Sequence, residues 1–413
     1  MSTIQTEHTT ATHSPTVIVI GGGPAGVASG YYLQQAGIAY KIYEASDEIA
    51  HTWNSLYPSL RLNTSKWYSH MPGAPMPRHY PIFPTGKQYH AHVVDFAHQQ
   101  GIHEHIVFNS PVERLYRRED GQWCVQTRHG TDVVPVVISA TGRFCNPITP
   151  NIPGLQGSFE GQVVHAHDYL GPEPFVGQRV MIVGNGPTGV DLAPELGAQP
   201  DTPPVLLSMR TGVKLKPRYP LGLPKHAWMI LAEHLPDALG DPLVDFVGDI
   251  EFRNLEEVGI RTPAPEEAST AAGTRGNELI LATKAGEVIC VPGPKRFFGR
   301  CVELTNGDRY ELDTVILATG YAPVLYKHLE EEVQDVEHPV PWPVRDQSSY
   351  TPRLTEGAGY PSDSGREVAG LPGLYLVGIF YQGKGALYNI NMEAEIAVDQ
   401  IQERLTQRAR VSV

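Results

Sequence analysis

Short apolar runs and clusters of turn-forming residues alternate along most of the chain. Thr16-Val17-Ile18-Val19-Ile20 and Arg179-Val180-Met181-Ile182-Val183 are continuously apolar after their first residue, a pattern that predicts strands covered on both faces of a parallel sheet. Each runs directly into a glycine-rich turn and then a helical stretch, Ala25 to Ala36 in the first case. Tyr40-Lys41-Ile42-Tyr43-Glu44 and Val205-Leu206-Leu207-Ser208-Met209-Arg210 predict the following strand of each unit. Two further strand ends are nearly identical, Val136-Val137-Ile138-Ser139-Ala140-Thr141-Gly142 and Thr314-Val315-Ile316-Leu317-Ala318-Thr319-Gly320-Tyr321, and they bracket the second unit. The alternation predicts an α/β fold.

The turns carry the first chemical signal. Gly21-Gly22-Gly23-Pro24-Ala25-Gly26 and Gly184-Asn185-Gly186-Pro187-Thr188-Gly189 both stand in strand-turn-helix context, where glycines let a pyrophosphate reach the free N–H groups at a helix N-terminus. Two such turns predict two Rossmann-like dinucleotide-binding domains. Glu44, 18 residues beyond Gly26, is placed to accept the ribose hydroxyls of an adenosine. At the corresponding end of the second unit stand Ser208 and Arg210, and a guanidinium there suits a 2′-phosphate, hence NADP(H). If the paired Ala-Thr-Gly ends mark crossings between domains, an NADP domain over 172–308 is inserted in a discontinuous FAD domain, 15–171 and 309–413. Proline- and glycine-rich stretches, Cys145 to Gly157 and Pro292 to Gly299, accompany the borders. Pro194 is expected to kink or end the helix after the second turn.

Composition narrows the partners. With 32 Lys and Arg against 45 Asp and Glu the chain carries a net charge of −13, which disfavours nucleic acid. No apolar stretch approaches the roughly 18–20 residues of a membrane span. Residues 1–14 are polar, without a secretory pattern, and read as a frayed tail of a cytoplasmic protein. Cys124, Cys145, Cys290 and Cys301 form no close pair, unlike the redox pair of disulfide-reducing flavoproteins.

Together with Phe159-x-Gly161-x-x-x-His165-x-x-x-Tyr169 between the turns, Trp53 nine residues after Glu44, Asp313 before Ala318-Thr319-Gly320-Tyr321, and Pro372-Gly373-Leu374-Tyr375-Leu376-Val377-Gly378, the chain resembles the flavin-containing monooxygenases, a class B flavoprotein group that includes YUCCA and Baeyer-Villiger enzymes. Baeyer-Villiger members end the fingerprint in Trp where this chain has Tyr169. Arg61-Leu62-Asn63-Thr64-Ser65-Lys66 resembles the family segment whose asparagine faces the flavin, so Asn63 is the implied catalytic residue. The resemblance further implies cofactor contacts at Trp53, Arg61, Thr64, Gln88, Val112, Thr141, Thr319, Gly378 and Gln382, beside the glycine turns, Glu44, Ser208 and Arg210. It also implies FAD and NADPH as cofactors and a 4a-hydroperoxyflavin as oxygen donor, and it allows a homodimer.

The expected partners are dioxygen and a small nucleophilic substrate: sulfur, nitrogen or an indole-like ring. Alternative activities are Baeyer-Villiger insertion or oxidative decarboxylation of a 2-oxo acid, and an NADPH oxidase or electron carrier. His165 and Tyr169 are expected on the interdomain linker. His90, His92, Asp95, His98, His103 and His105 lack metal-binding spacing and read as a solvated helix face, so no metal is expected. The aromatic residues from Trp53 to Tyr89 suit core or a substrate wall, and 213–235 suits a lid near the cleft.

Overall fold

The computed structural model describes residues 15–411, apart from 145, 233, 237–238, 240–242, 244–245, 248–251, 253, 265–272, 322–328, 330–331, 335–338, 342–365, 369 and 379–384. The expected tail, Cys145 and Gln382 therefore lie outside the described residues. Two five-stranded sheets organise the rest. The first runs Leu374–Leu376, Val136–Ser139, Val17–Ile20, Tyr40–Tyr43, Ile106–Val107, and the second Val288–Val291, Val205–Ser208, Val180–Val183, Thr314–Leu317, Gln162–His165. All neighbours in both are parallel. The central strands are buried along their length, as continuously apolar runs require.

The two bodies repeat one plan. In each, the strand ending in Ala-Thr-Gly lies directly beside the strand entering the glycine turn: Val17 pairs with Val136, and Val180 with Thr314. Their similarity therefore reflects equivalent places in two bodies. Sheet membership also moves the expected borders. Gln162–His165 and Thr314–Leu317 hydrogen-bond with each other inside the second sheet, so that body begins before residue 162 and continues through Leu317. His165 and Tyr169 consequently belong to the second body, not to a linker. Each body further contains a three-stranded antiparallel meander just before its Ala-Thr-Gly strand, Val112–Arg117 with Trp123–Thr127 and Gly130–Val134, and Pro294–Phe298 with Cys301–Leu304 and Arg309–Glu311.

The fingerprint spacing has a packing cause. A β-carbon at Gly161 would overlap the Phe159 ring and lie 2.6 Å from the Asp313 carbonyl oxygen, while Phe159 packs edge-on against Phe297. Asp313 fixes the same corner, accepting from Arg179 Nε, Nη2 and backbone N at 2.9 Å each. Pro194 does not end its helix, which spans Pro187–Gly197. The proline is buried, and three residues of helix follow it. The helix Ala386–Val411 turns Leu387, Ala394, Ala397, Val398 and Ile401 into the first core, where they meet Val27, Leu33 and Val93. No helix among the described residues is long and apolar enough to cross a membrane.

Candidate active site

At the first glycine turn, two glycines are required by packing and one by access. Gly21 has φ +109°, and a β-carbon there would lie 2.5 Å from the Ala140 carbonyl oxygen; one at Gly26 would overlap the Gly21 carbonyl oxygen. A β-carbon at Gly23 would meet nothing within 4 Å. Gly23 is the N-cap of helix Pro24–Gln35, contributes no side-chain cap and precedes a proline at N1, so the helix presents its first N–H groups and dipole to an anion. Beside it opens a cavity of about 430 Å³. Gly21, Gly23, Pro24, Ala25, Glu44, Trp53, Val112, Thr141 and Gly378 all line it. Glu44 Oε2 accepts from Gly22 N at 2.6 Å, and Oε1 from Ser46 N at 2.8 Å and Ser46 Oγ at 2.7 Å. Trp53 packs edge-on against Tyr89, with ring centroids 4.5 Å apart.

The second turn repeats this geometry. Gly184 has φ +115°; β-carbons at Gly184 and Gly189 would overlap the Ala318 and Gly184 carbonyl oxygens, whereas one at Gly186 would meet nothing within 4 Å. Gly186 caps Pro187–Gly197 without a side-chain bond. Asn185 Nδ2 donates to the Thr211 carbonyl at 2.8 Å, fixing the chain just past exposed Arg210. Ser208 is buried, its hydroxyl directed to the Pro292 carbonyl at 3.5 Å. Thr319 Oγ1 donates to the Ile148 carbonyl at 2.5 Å, clasping the second Ala-Thr-Gly end to the loop that follows the first.

Asn63 is presented at the seam between the bodies. Residues 60–66 lie antiparallel to 82–86, held by Leu62 N to Pro84 O at 2.9 Å, Lys66 N to Ile82 O at 2.8 Å and Gly86 N to Leu60 O at 2.9 Å. Asn63 Oδ1 is enclosed without a hydrogen-bond partner, as is Ser65 Oγ. Such groups are costly unless a ligand completes them. Thr64 Oγ1 is bonded to Ser69 Oγ at 2.6 Å. From the second body His226 meets this segment, its Nδ1 accepting from Ser65 N at 3.3 Å. Burial, with the Arg275 and Lys225 charges, lowers His226 to about 3, so the ring is neutral and carries its proton on Nε2. The segment expected to form a lid thus reaches the asparagine loop through helix Lys225–Ala232.

A second bridge crosses the seam at Tyr57, which is buried and packs with the second core. Its hydroxyl donates to Asp191 Oδ2 at 2.9 Å and also hydrogen-bonds Thr188. Burial raises Asp191 to about 6 despite that bond and Arg218 Nη2 at 3.9 Å. One turn on, Glu195 accepts from Tyr169 OH at 3.1 Å and is raised by burial as well.

Not every expected contact converges. Gln88 lies outside the cavity lining and completes a capping box, accepting from Thr85 N at 2.9 Å while its own N–H bonds Thr85 Oγ1 at 3.2 Å. Arg61 is exposed and joined to Thr85 by a bridge. His92 departs from the solvated face: it is buried, and its Nε2 accepts from Met71 N at 3.1 Å. Ser46, Ser110, Arg143 and Ile390 line the cavity without having been expected there; Ser46 and Arg143 follow parallel strands of the first sheet, a position that favours ligand contact.

A family model described as flavin-binding monooxygenase-like matches residues 15–340. The chain is similar to the probable indole-3-pyruvate monooxygenase YUCCA9 of Arabidopsis thaliana, 30% identical over 326 residues that cover 76% of each chain. It is likewise similar to the indole-3-pyruvate monooxygenase YUCCA1 of Oryza sativa subsp. japonica, 30% identical over 320 residues, 74% of this chain and 77% of that one. Among solved structures, a flavin-containing monooxygenase from Stenotrophomonas maltophilia shares the fold with TM-score 0.66 and 24% identity, covering 95% of this chain and 99% of its own. An oxidised steroid monooxygenase bound to NADP does so with TM-score 0.68 and 18% identity, covering 97% and 87%.

Proposed function

The chain belongs to the flavin-binding monooxygenase-like family, and from that premise we propose that it is an NADPH- and dioxygen-dependent FAD monooxygenase acting on a small organic substrate. The observation that carries the reading is the pair of matched cradles with Asn63 presented at the seam between their bodies. The first cradle fits FAD. Its pyrophosphate would rest on the start of helix Pro24–Gln35 opposite Gly23, and Glu44 would exchange its backbone partners for ribose hydroxyls. The second fits NADPH, with the pyrophosphate opposite Gly186 and the 2′-phosphate on Arg210, which no side-chain carboxylate among the described residues engages.

A flavin held there would supply the hydride-accepting and dioxygen-activating chemistry. The chain supplies the surroundings. Asn63 offers a carbonyl and two N–H donors without any change of charge, so it holds a neutral amide or a polar oxygen equally well as the cofactor cycles. Tyr68, Phe83 and Tyr388 bring apolar surface to the same seam, and the neutral His226 adds no charge that would draw in water.

The similarity to indole-3-pyruvate monooxygenases favours a 2-oxo acid substrate as a second reading. The test is turnover of the FAD-loaded protein with NADPH under labelled dioxygen, across sulfides, amines, indoles and 2-oxo acids. One labelled oxygen atom in an organic product is the expected result. Stoichiometric peroxide with unlabelled products from every class overturns the reading in favour of an oxidase or electron carrier.

A further inference from the structure

Beside the asparagine loop, the second body holds a cation that the assignments above leave unused. Arg275 ends the strand Gly273–Arg275, which pairs in parallel with Lys214–Lys216 and packs against helix Pro187–Gly197. Its Nη1 is enclosed and has no hydrogen-bond partner. Among the described residues no carboxylate pairs with it: neighbouring Arg218 takes both Glu278 and, at 3.9 Å, Asp191. Arg218 Nε and Thr274 Oγ1 are also enclosed and unpartnered. Burial, with the Arg218 charge adding to it, lowers Arg275 to about 10. A buried guanidinium without an anion is held at a cost that an entering anion removes.

What adjoins these donors is aromatic. Arg275 acts electrostatically on His226, whose ring lies 5.0 Å from that of Tyr68 and 6.3 Å from that of Phe83, and Tyr68 meets Tyr388 at 5.6 Å. His226 is in turn bonded to Ser65, two residues beyond Asn63. A β-carbon at Gly276, next to Arg275, would lie 2.5 Å from Arg218 Nη1, and the Arg218 carbonyl accepts from Lys225 N at 3.2 Å, one residue before His226, so the cationic donors adjoin this aromatic cluster.

Resting on the monooxygenase reading, we propose that Arg275 is a specificity-determining residue that receives a substrate carboxylate, with Tyr68, Phe83 and Tyr388 covering an aryl group at the other end. The protein then selects small aryl-bearing acids over neutral aryl compounds of the same shape. A guanidinium can grip a carboxylate through two parallel N–H bonds, which a lysine cannot reproduce, so the preference depends on arginine rather than on positive charge alone. A coenzyme phosphate is the other source of an anion here, and the experiment separates the two.

The full-length, FAD-loaded protein is titrated calorimetrically with phenylacetate, with its neutral amide phenylacetamide, and with NADP+. The acid is expected to bind at least ~10-fold more tightly than the amide. In Arg275→Met that preference falls to within ~3-fold, the amide and NADP+ bind as in the wild type, and Arg275→Lys restores only part of the difference. Equal affinity of the wild type for acid and amide overturns the proposal. So does an Arg275→Met protein that keeps the preference but loses NADP+ affinity, which assigns the cation to the coenzyme phosphate. Should the Met variant fail to retain FAD, the wild-type comparison and the Lys variant decide. Because nothing is turned over, failure here leaves the labelled-oxygen test of the activity untouched.

Discussion

Introducing one methyl group at equivalent places in the two turns should remove one cofactor at a time. A β-carbon at Gly26 would overlap the Gly21 carbonyl oxygen, and one at Gly189 the Gly184 carbonyl oxygen. Each lies more than about 1 Å inside ordinary contact, and because the opposing atom is backbone, relief requires the helix start to move away from the strand end. The same helix start offers the N–H groups for the pyrophosphate. Losing one or two hydrogen bonds to a charged group costs roughly 2–5 kcal/mol, or about 30- to 5,000-fold in affinity. Gly26→Ala is therefore expected to be purified with little or no flavin. Gly189→Ala is expected to hold FAD normally, as judged by visible absorbance, while the NADPH concentration for half-maximal anaerobic flavin reduction rises by that factor. As a steric control, Gly186→Ala, whose β-carbon would meet nothing within 4 Å, tests access alone: it should leave the thermal midpoint unchanged while weakening NADPH. If Gly189→Ala loses FAD and keeps NADPH affinity, the assignment of the two cradles is wrong.

The other expectations probe the seam. Arg210→Ala should weaken NADPH by ~10- to 100-fold and leave NADH nearly unchanged, read as kcat/KM for each coenzyme; equal loss for both would mean that Arg210 does not meet the 2′-phosphate. Asn63→Ala should divert NADPH from oxygenated product to hydrogen peroxide, and unchanged coupling refutes its role. Burial raises Asp191 to about 6, so between roughly pH 4 and 6 the folded chain keeps a proton that the unfolded chain has released. That contribution is complete below the unfolded value and lost as pH rises through about 6. Asp191→Asn removes the dependence, and from pH 5 to pH 8 its unfolding free energy should gain roughly 1 kcal/mol on the wild type. A difference that stays constant over this range excludes the raised pKa as its cause.

What was legible in the sequence was what neighbouring residues determine. Both glycine turns, the strands entering them and Glu44 follow from spacings of a few residues, and the structure brings Glu44 to the cavity wall. The place of Asn63 came through resemblance, since a single asparagine between Leu62 and Thr64 reads equally as a turn. The border at 172 was misplaced because Gln162-Val163-Val164-His165 is an edge strand, exposed at its first two residues, and lacks the fully apolar signature of a central one. Both meanders carry hairpin signals, Asp120-Gly121 and Asn306-Gly307. The seam could not be read at all. Tyr57 meets Asp191 across 134 residues, and Ser65 meets His226 across 161. No local pattern announces such pairs.

Tyr57 also bears on how the molecule comes apart. The residue follows the first glycine unit in sequence, yet its ring is part of the hydrophobic core of the second body, and its hydroxyl ends on a buried carboxylate there. Melting the second body alone would strand that ring in water and leave Asp191 without its donor, while melting the first would withdraw a side chain from an intact interior. Both routes carry a penalty that complete unfolding does not add to. The two bodies are therefore expected to unfold together, and a ligand taken up by either should raise the thermal resistance of both.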